Sequence, residues 1–431
     1  MAKFRIVGQI IDNKNDRRVS GLRVEAWDKD LMRNDFLDTT TTDGKGKFNI
    51  EFDDTDFQDI FLDREPDIFF KVFQDSKLIA STEDSILWNV KNRDTQMTIN
   101  ITQLSPGFNL AEAKAMLGIC SELNGQLQPT PPNTVPPLPP VPLPSNWQKI
   151  YRSNESILDN VWELWKNTEV TGQYALAFRG TVTTKPSIVE DILAVMIPAK
   201  GSIDLKIGDF SYQLAEDARA GVHVGFTLGL ATLILDVIDK INDYAAKGAT
   251  QFFITGHSQG AALATLCRSL LQYTKRVKVK DLTYKTYIFA QPKPGNDYYG
   301  YDFDAIASNQ GMAFRVTNSC DWVPQVPFTI QLLKDPSAPN PLTELKEKLE
   351  NLTDDFEQLK QLKDKIEEKL EKLPKYKLKD KILPTLNYTG CGIPITLLGT
   401  PGDNPQNPDD FFWQHHTAMY YKLLCETFPD S

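Results

Sequence analysis

Phe252-Phe253-Ile254-Thr255-Gly256-His257-Ser258-Gln259-Gly260-Ala261-Ala262-Leu263-Ala264-Thr265-Leu266 decides the architecture of this chain. The opening apolar run reads as a buried strand. The closing Ala- and Leu-rich run reads as a helix. Between them a serine stands two residues from a glycine on either side. A turn this tight holds its central residue at a strained backbone angle, and a side chain at either glycine would collide with the neighbouring strand or helix. The Ser258 hydroxyl is thereby held clear of the backbone, above a helix N-terminus that favours developing negative charge. Ser258 is the candidate nucleophile, on a strand–turn–helix unit that predicts an α/β architecture.

This unit resembles the nucleophile elbow of the α/β-hydrolases, in which a triad runs Ser, acid, His along the chain. The chain has four histidines: His223, His257, His415 and His416. His257 lies inside the turn, with its ring expected to face the supporting structure, and His223 precedes it. The C-terminal pair remains. After the turn, Phe314-Arg315-Val316-Thr317-Asn318 reads as a strand running into Ser319-Cys320-Asp321-Trp322-Val323-Pro324. Asp321 is therefore the expected orienting carboxylate, against the plainer reading of an ordinary loop acid. No Cys or acid stands at ligand spacing around His415-His416, so neither a metal nor another cofactor is expected.

Further stretches resemble the class 3 lipases, the fungal-lipase-like branch of the α/β-hydrolases. They are Phe178-Arg179-Gly180-Thr181, Val222-His223-Val224-Gly225-Phe226, Phe289-Ala290-Gln291-Pro292-Lys293-Pro294-Gly295-Asn296, and the closing His415-His416-Thr417-Ala418-Met419-Tyr420-Tyr421-Lys422-Leu423-Leu424. The resemblance runs from about Phe108 to the C-terminus. It implies ester hydrolysis by Ser258, with a histidine as base and Asp321 orienting it. It also implies an oxyanion hole made of Thr181 and the Gln259 N–H. Family members place a Tyr five residues after the base with Leu-Leu following. His415 meets both conditions, with Tyr420, Leu423 and Leu424, whereas His416 meets only the first, with Tyr421. His415 is the first choice and His416 the second.

The chain has 431 residues and 41% hydrophobic content, enough for a globular protein of two or more domains. A formal net charge of −10 argues against nucleic acid and anionic membrane surfaces as standing partners. Five scattered cysteines (Cys120, Cys267, Cys320, Cys391 and Cys425) outline no disulfide framework and lean towards a reducing compartment. The start of the chain leads straight into a strand pattern without an apolar leader, which suits a cytoplasmic protein or one exported without a signal peptide. The longest apolar stretch, 222–238, is too short and broken to span a bilayer and reads as a buried helix.

Residues 1–103 read as an all-β sandwich. Phe4, Ile6, Gly8 and Ile10 alternate with polar positions, as do Leu22, Val24 and Ala26, then Phe48, Ile50 and Phe52, then Met97, Ile99 and Ile101. Close turns between such runs indicate antiparallel strands. Gly21-Leu22-Arg23-Val24-Glu25-Ala26-Trp27-Asp28, with Thr42-Asp43-Gly44 and Gly46-Lys47-Phe48, resembles transthyretin-like and carboxypeptidase-regulatory-like modules. Its acidic loops (Asp28, Asp30, Asp35, and 53–56) suit solvated turns better than calcium.

Residues 104–431 are expected to be the hydrolase unit, with a Pro-rich excursion at 129–144. A charged helix at 342–373 carries apolar residues in steps of three and four on one face. It reads as a surface arm first, then as a coiled-coil contact between copies of the chain, then as a cap over the site. Residues 187–198 follow the oxyanion residue and balance between a lid over an acyl groove and an ordinary core helix.

These features predict an α/β-hydrolase, a mostly parallel sheet flanked by helices, preceded by a β-sandwich. Its expected substrate is a triacylglycerol or other lipid ester met at a lipid–water interface. Polyester, phospholipid or feruloyl esters are the alternatives within the enzymes. A catalytically silent binding or scaffold protein is the rival outside them.

Overall fold

The computed structural model of the protein describes residues 3–12, 17–29, 34–53, 56, 65–83, 85–91, 93–101, 104–125, 138, 140–156, 160–180, 195–205, 208–329, 377–378, 383, 386–405 and 408–429. The two-residue alternation of the first hundred residues folds as an all-β region. Its strands are β1 (Lys3–Asp12), β2 (Arg17–Arg18), β3 (Arg23–Asp28), β4 (Asp35–Thr41), β5 (Lys47–Asp53), β6 (Ile68–Gln74), β7 (Lys77–Ser81) and β8 (Asp94–Ile101). One sheet runs β2-β1-β5 with β8 also on β1, and the other runs β4-β3-β6-β7. Side chains alternate across a strand, so Ile6 and Ile10, Val24 and Ala26, Ile50 and Phe52, and Phe70 and Val72 meet in one core. One pairing departs from the antiparallel expectation: β8 lies parallel to β1, from Arg5 opposite Asp94 to Asp12 opposite Ile101. Parallel neighbours cannot be joined by a tight hairpin, and here β2 to β7 all lie between β1 and β8 along the chain. Asp28 is also not a solvated loop acid. It is buried and its Oδ1 accepts from the Asp67 N–H at 2.6 Å, stapling the loop before β6.

Helix α1 (Leu110–Leu123) follows, begun by the Asn109 side chain accepting from the Glu112 N–H. Then come β9 (Trp147–Arg152), β10 (Val161–Asn167), β11 (Gln173–Arg179), β12 (Met196–Pro198), β13 (Lys200–Leu205), β14 (Gly208–Gln213), β15 (Gly221–His223), α2 (Val224–Ala231), α3 (Ile234–Ala246), β16 (Gln251–His257), α4 (Gln259–Tyr273), β17 (Thr283–Phe289), β18 (Gly295–Asn296), α5 (Asp297–Phe303), β19 (Ala313–Asn318), β20 (Lys377–Leu378), β21 (Tyr388–Thr389), β22 (Ile393–Leu397) and α6 (Thr417–Thr427). A mixed seven-stranded sheet of order β22-β19-β17-β16-β11-β10-β9 forms the centre. The strands from β22 to β11 are parallel, and β10 is antiparallel to both neighbours.

Helices cover both faces of this sheet, which is why its central strands are continuous apolar runs. On one face Leu176, Phe178, Phe252, Ile254 and Ile288 pack with α2, α3 and α4. On the other, Ala175, Ala177, Phe253, Tyr287, Phe289 and Phe314 pack with α1 and α6. The described end of the Pro-rich run joins this second face through buried Val141. A Cβ on Gly118 of α1 would overlap the Pro142 carbonyl, so α1 and this segment are in direct backbone contact.

Two expectations are corrected here. The stretch 222–238 is not one helix. His223 ends β15, and its Nδ1 accepts from the N–H groups of Gly225 (3.1 Å) and Phe226 (3.3 Å), which starts α2. Strand pairing and a side-chain cap override the hydropathy run. The C-terminal end of the segment weighed as lid or helix is a buried strand instead, β12, antiparallel to β15 with Val195 and Ile197 in the core. Residues 187–194, Thr181, the stretch 342–373 expected to be a charged helix, and 129–137 with 139 of the Pro-rich run lie outside the described residues. Among the described residues no helix is long and apolar enough to cross a membrane.

Candidate active site

The site is built on the carboxyl ends of the parallel strands, where side chains from successive loops converge. Ser258 follows β16 at φ 59° and ψ −134°, a left-handed conformation that an L residue adopts only under constraint. Its N–H donates to the Phe289 carbonyl at 3.0 Å, which ties the turn to the end of β17. A Cβ on Gly256 would overlap the Gly260 carbonyl, and one on Gly260 would overlap the Phe178 carbonyl. Both glycines are therefore required by backbone proximity. Gly180, the residue before Thr181, lies directly against the Gln259 side chain. The end of β11 and the start of α4 are thus in contact beside the nucleophile.

The structure brings Ser258, His415 and Asp321 together. His415 lies in a single 3-10 turn, Trp413–His415, just ahead of α6. Its Nε2 is 2.8 Å from Ser258 Oγ, and its Nδ1 is 2.8 Å from Asp321 Oδ2. Asp321 is buried and hydrogen-bonded from three sides. Besides His415, the Tyr420 hydroxyl donates to Oδ2 at 2.8 Å and the Val323 N–H donates to Oδ1 at 3.0 Å. Burial alone would raise this carboxyl. The His415 imidazole and these donors outweigh it and hold Asp321 below the ordinary carboxylate range. Burial, and then the Asp321 charge, push the Tyr420 hydroxyl well above its ordinary range, so it stays protonated as a donor.

His416 is not part of this line. Its Nε2 is 2.9 Å from Asp410 Oδ2, outside the contact between Ser258 and Asp321. His257 is buried, with Nε2 2.8 Å from the carbonyl oxygen of His415 and Nδ1 3.5 Å from the Asn124 amide. Burial, then the neighbouring His415, push its pKa down to about 3, so its ring is neutral at ordinary pH.

Several supporting residues were not singled out from the sequence. Asn318, at the end of β19, donates its N–H to the Tyr420 hydroxyl (3.2 Å) and its side-chain amide to the Gln414 carbonyl (2.8 Å). It thereby latches the Asp321 loop to the His415 turn. The Trp322 indole donates to the Phe411 carbonyl at 3.0 Å, and the Phe412 ring lies 5.8 Å from that of His415. Tyr420 was visible as the residue five after His415. Asn318, Gln414 and Asn124 carry no signal of their own, because their partners lie far away in sequence. Among the described residues, no group of three His, Cys, Asp or Glu side chains is arranged to hold a metal.

Residues 175–331 match the family model described as Lipase (class 3). The secreted mono- and diacylglycerol lipase LIP4 of Malassezia restricta is 28% identical over 156 residues, which cover 35% of this chain and 46% of that protein. The secreted mono- and diacylglycerol lipase 1 of Fusarium solani is 30% identical over 142 residues, covering 31% of this chain and 39% of that protein. The chain thus spans less than half the length of these relatives. Among solved structures, lipase II from Rhizopus niveus is 21% identical with a TM-score of 0.37, covering 51% of this chain and 75% of that one.

Proposed function

We propose that the chain is a serine hydrolase of carboxylic esters, acting on acylglycerols, with residues 104–431 as an α/β-hydrolase unit and residues 1–103 as an accessory β-sandwich. The observation that carries this reading is the line Ser258–His415–Asp321, 2.8 Å at each step, standing on a turn that holds the serine clear of its own backbone. The match of residues 175–331 to the class 3 lipase family model supports it, as do relatives named as mono- and diacylglycerol lipases.

Ser258 Oγ attacks the acyl carbonyl while His415 Nε2 takes its proton. Asp321, held ionised, stabilises the imidazolium through Nδ1 and keeps the ring in the required tautomer. The tetrahedral oxyanion is met by the Gln259 N–H at the start of α4 and by Thr181. Removing one such donor typically costs about 3–4 kcal/mol of transition-state stabilisation. The protonated His415 then releases the alcohol, and water deacylates Ser258 with His415 as base.

A serine-directed phosphonate tests this reading. It should label Ser258 and no other residue, and Ser258→Ala should lower hydrolysis of emulsified mono-, di- and triacylglycerols by several orders of magnitude without unfolding the chain. His415→Ala should be equally inactive, whereas His416→Ala should retain most turnover. Full activity in Ser258→Ala, or labelling elsewhere, overturns the assignment.

A further inference from the structure

The residue beside the nucleophile makes a contact that the triad chemistry leaves unused. A carbonyl oxygen only accepts hydrogen bonds, so the 2.8 Å contact between His257 Nε2 and the His415 carbonyl requires the proton on Nε2. In a neutral ring Nδ1 then carries the lone pair, and it faces the Asn124 side-chain amide at 3.5 Å. Asn124 is the residue that ends α1, and the last turn of that helix is pinned on two sides. Cys120 Sγ lies 3.3 Å from Thr255 Oγ1 on β16, and Ser121 Oγ lies 3.1 Å from Thr417 Oγ1 on α6. The ring is further enclosed by the His415 ring at 4.6 Å and by the edge of Tyr420 at 5.9 Å and 87°.

We infer that His257 and Asn124 are positioning residues for the base: α1 holds the Asn124 amide on His257 Nδ1, and His257 Nε2–H holds the backbone of His415 so that its own Nε2 stays in reach of Ser258. This inference rests on the triad reading above. The His415 ring hangs from a short turn rather than from a long helix, so a backbone anchor on the nucleophile's own neighbour ties base and nucleophile into one rigid unit. Displacements of about 1 Å at such a group cost on the order of a hundredfold in rate. Burial keeps His257 uncharged, so the anchor adds no repulsion when the His415 imidazolium forms.

The test uses the full-length chain labelled with nitrogen-15, in which four histidines give a readable long-range proton–nitrogen spectrum. His257 should show the neutral Nε2–H tautomer from about pH 5 to about pH 8. An imidazolium, or a proton on Nδ1, overturns the inference. In turnover of a soluble aryl ester, His257→Phe should lower kcat by about tenfold or more with KM within about twofold. His257→Gln, whose amide reaches the same carbonyl, should keep kcat within about threefold of the wild type. Equal loss in both variants, or no loss in His257→Phe, also overturns it. Should His257→Phe fail to fold, Asn124→Leu should still lower kcat several-fold at unchanged KM, and unchanged kcat there counts against the inference. The spectrum is recorded on the wild type and does not depend on turnover. Activity retained in His415→Ala would instead sink the triad reading and leave the tautomer result standing.

Discussion

Two buried residues beside the candidate triad contacts take opposite charge logic. Asp321 is kept ionised by donors that outweigh its burial, while His257 is kept neutral by burial that nothing outweighs. Both make the fold acid-sensitive. His257 titrates near 3 in the folded chain and near its ordinary 6.5 when unfolded, so the unfolded chain binds the extra proton between those values. Stability from this group is therefore complete above about pH 6.5 and is lost as pH falls towards about 3, by up to about 1.4 kcal/mol per pH unit. Asp321 adds to the loss lower down, as pH falls through its depressed pKa. Urea midpoints across this range should fall less steeply for His257→Gln than for the wild type. Parallel slopes would show that another group governs acid unfolding.

At the scale of elements, α1 is anchored to the central sheet by charge as well as by apolar packing. Lys285 of β17 is fully buried in the apolar layer with its Nζ 2.5 Å from Glu112 Oε2, and the Tyr287 hydroxyl donates to the same oxygen at 2.7 Å. Removing one partner of such a pair leaves an uncompensated buried charge. Glu112→Ala should destabilise the chain by about 3–5 kcal/mol, and Lys285→Met in that background should restore most of the loss. Equal denaturation midpoints for Glu112→Ala and the wild type would mean that α1 is held by its apolar face alone. Nothing in the sequence marks the first turn of α1 as the carrier of a counter-ion for a strand residue 173 positions away.

Across the whole molecule, the all-β region and the central sheet meet at the amino ends of β16 and β17, opposite the candidate site. Thr250 Oγ1 donates to the Ile79 carbonyl at 3.3 Å and Lys77 Nζ to Thr283 Oγ1 at 3.4 Å, and just past the all-β region the Leu104 N–H donates to Gln251 Oε1 at 2.6 Å. Gly248 stands at φ 99° with Ser81 where a Cβ would go. Gly248→Ala therefore combines backbone strain with a clash at this junction. It should lower Tm measurably and speed proteolysis between 84 and 103. Phosphonate labelling of Ser258 should be unaffected, because the turn lies at the far end of β16. An unchanged Tm would show that the two regions do not support each other here.

Local chemistry was enough to place the elbow. Glycines at 256 and 260 have no role in a strand or helix that outweighs their entropic cost, so their spacing around Ser258 predicts a tight turn before any contact is known. Alternation did the same for the strands of the first hundred residues, because one face of each must be buried. The direction of β8 was not available from alternation, since a strand shows the same pattern whether its neighbour runs parallel or antiparallel. Nor was the break at His223, where a ring nitrogen caps a helix inside an unbroken apolar run. Spacing to Tyr420, Leu423 and Leu424 ranked His415 ahead of His416, but the contacts each ring makes belong to tertiary structure. The two differ by one position in sequence, and only the turn ahead of α6 directs His415 to Ser258 and Asp321 and His416 to Asp410. Periodicity reports which face a residue occupies, whereas a hydrogen bond depends on the direction of a single side chain, which is set by how separate elements pack together.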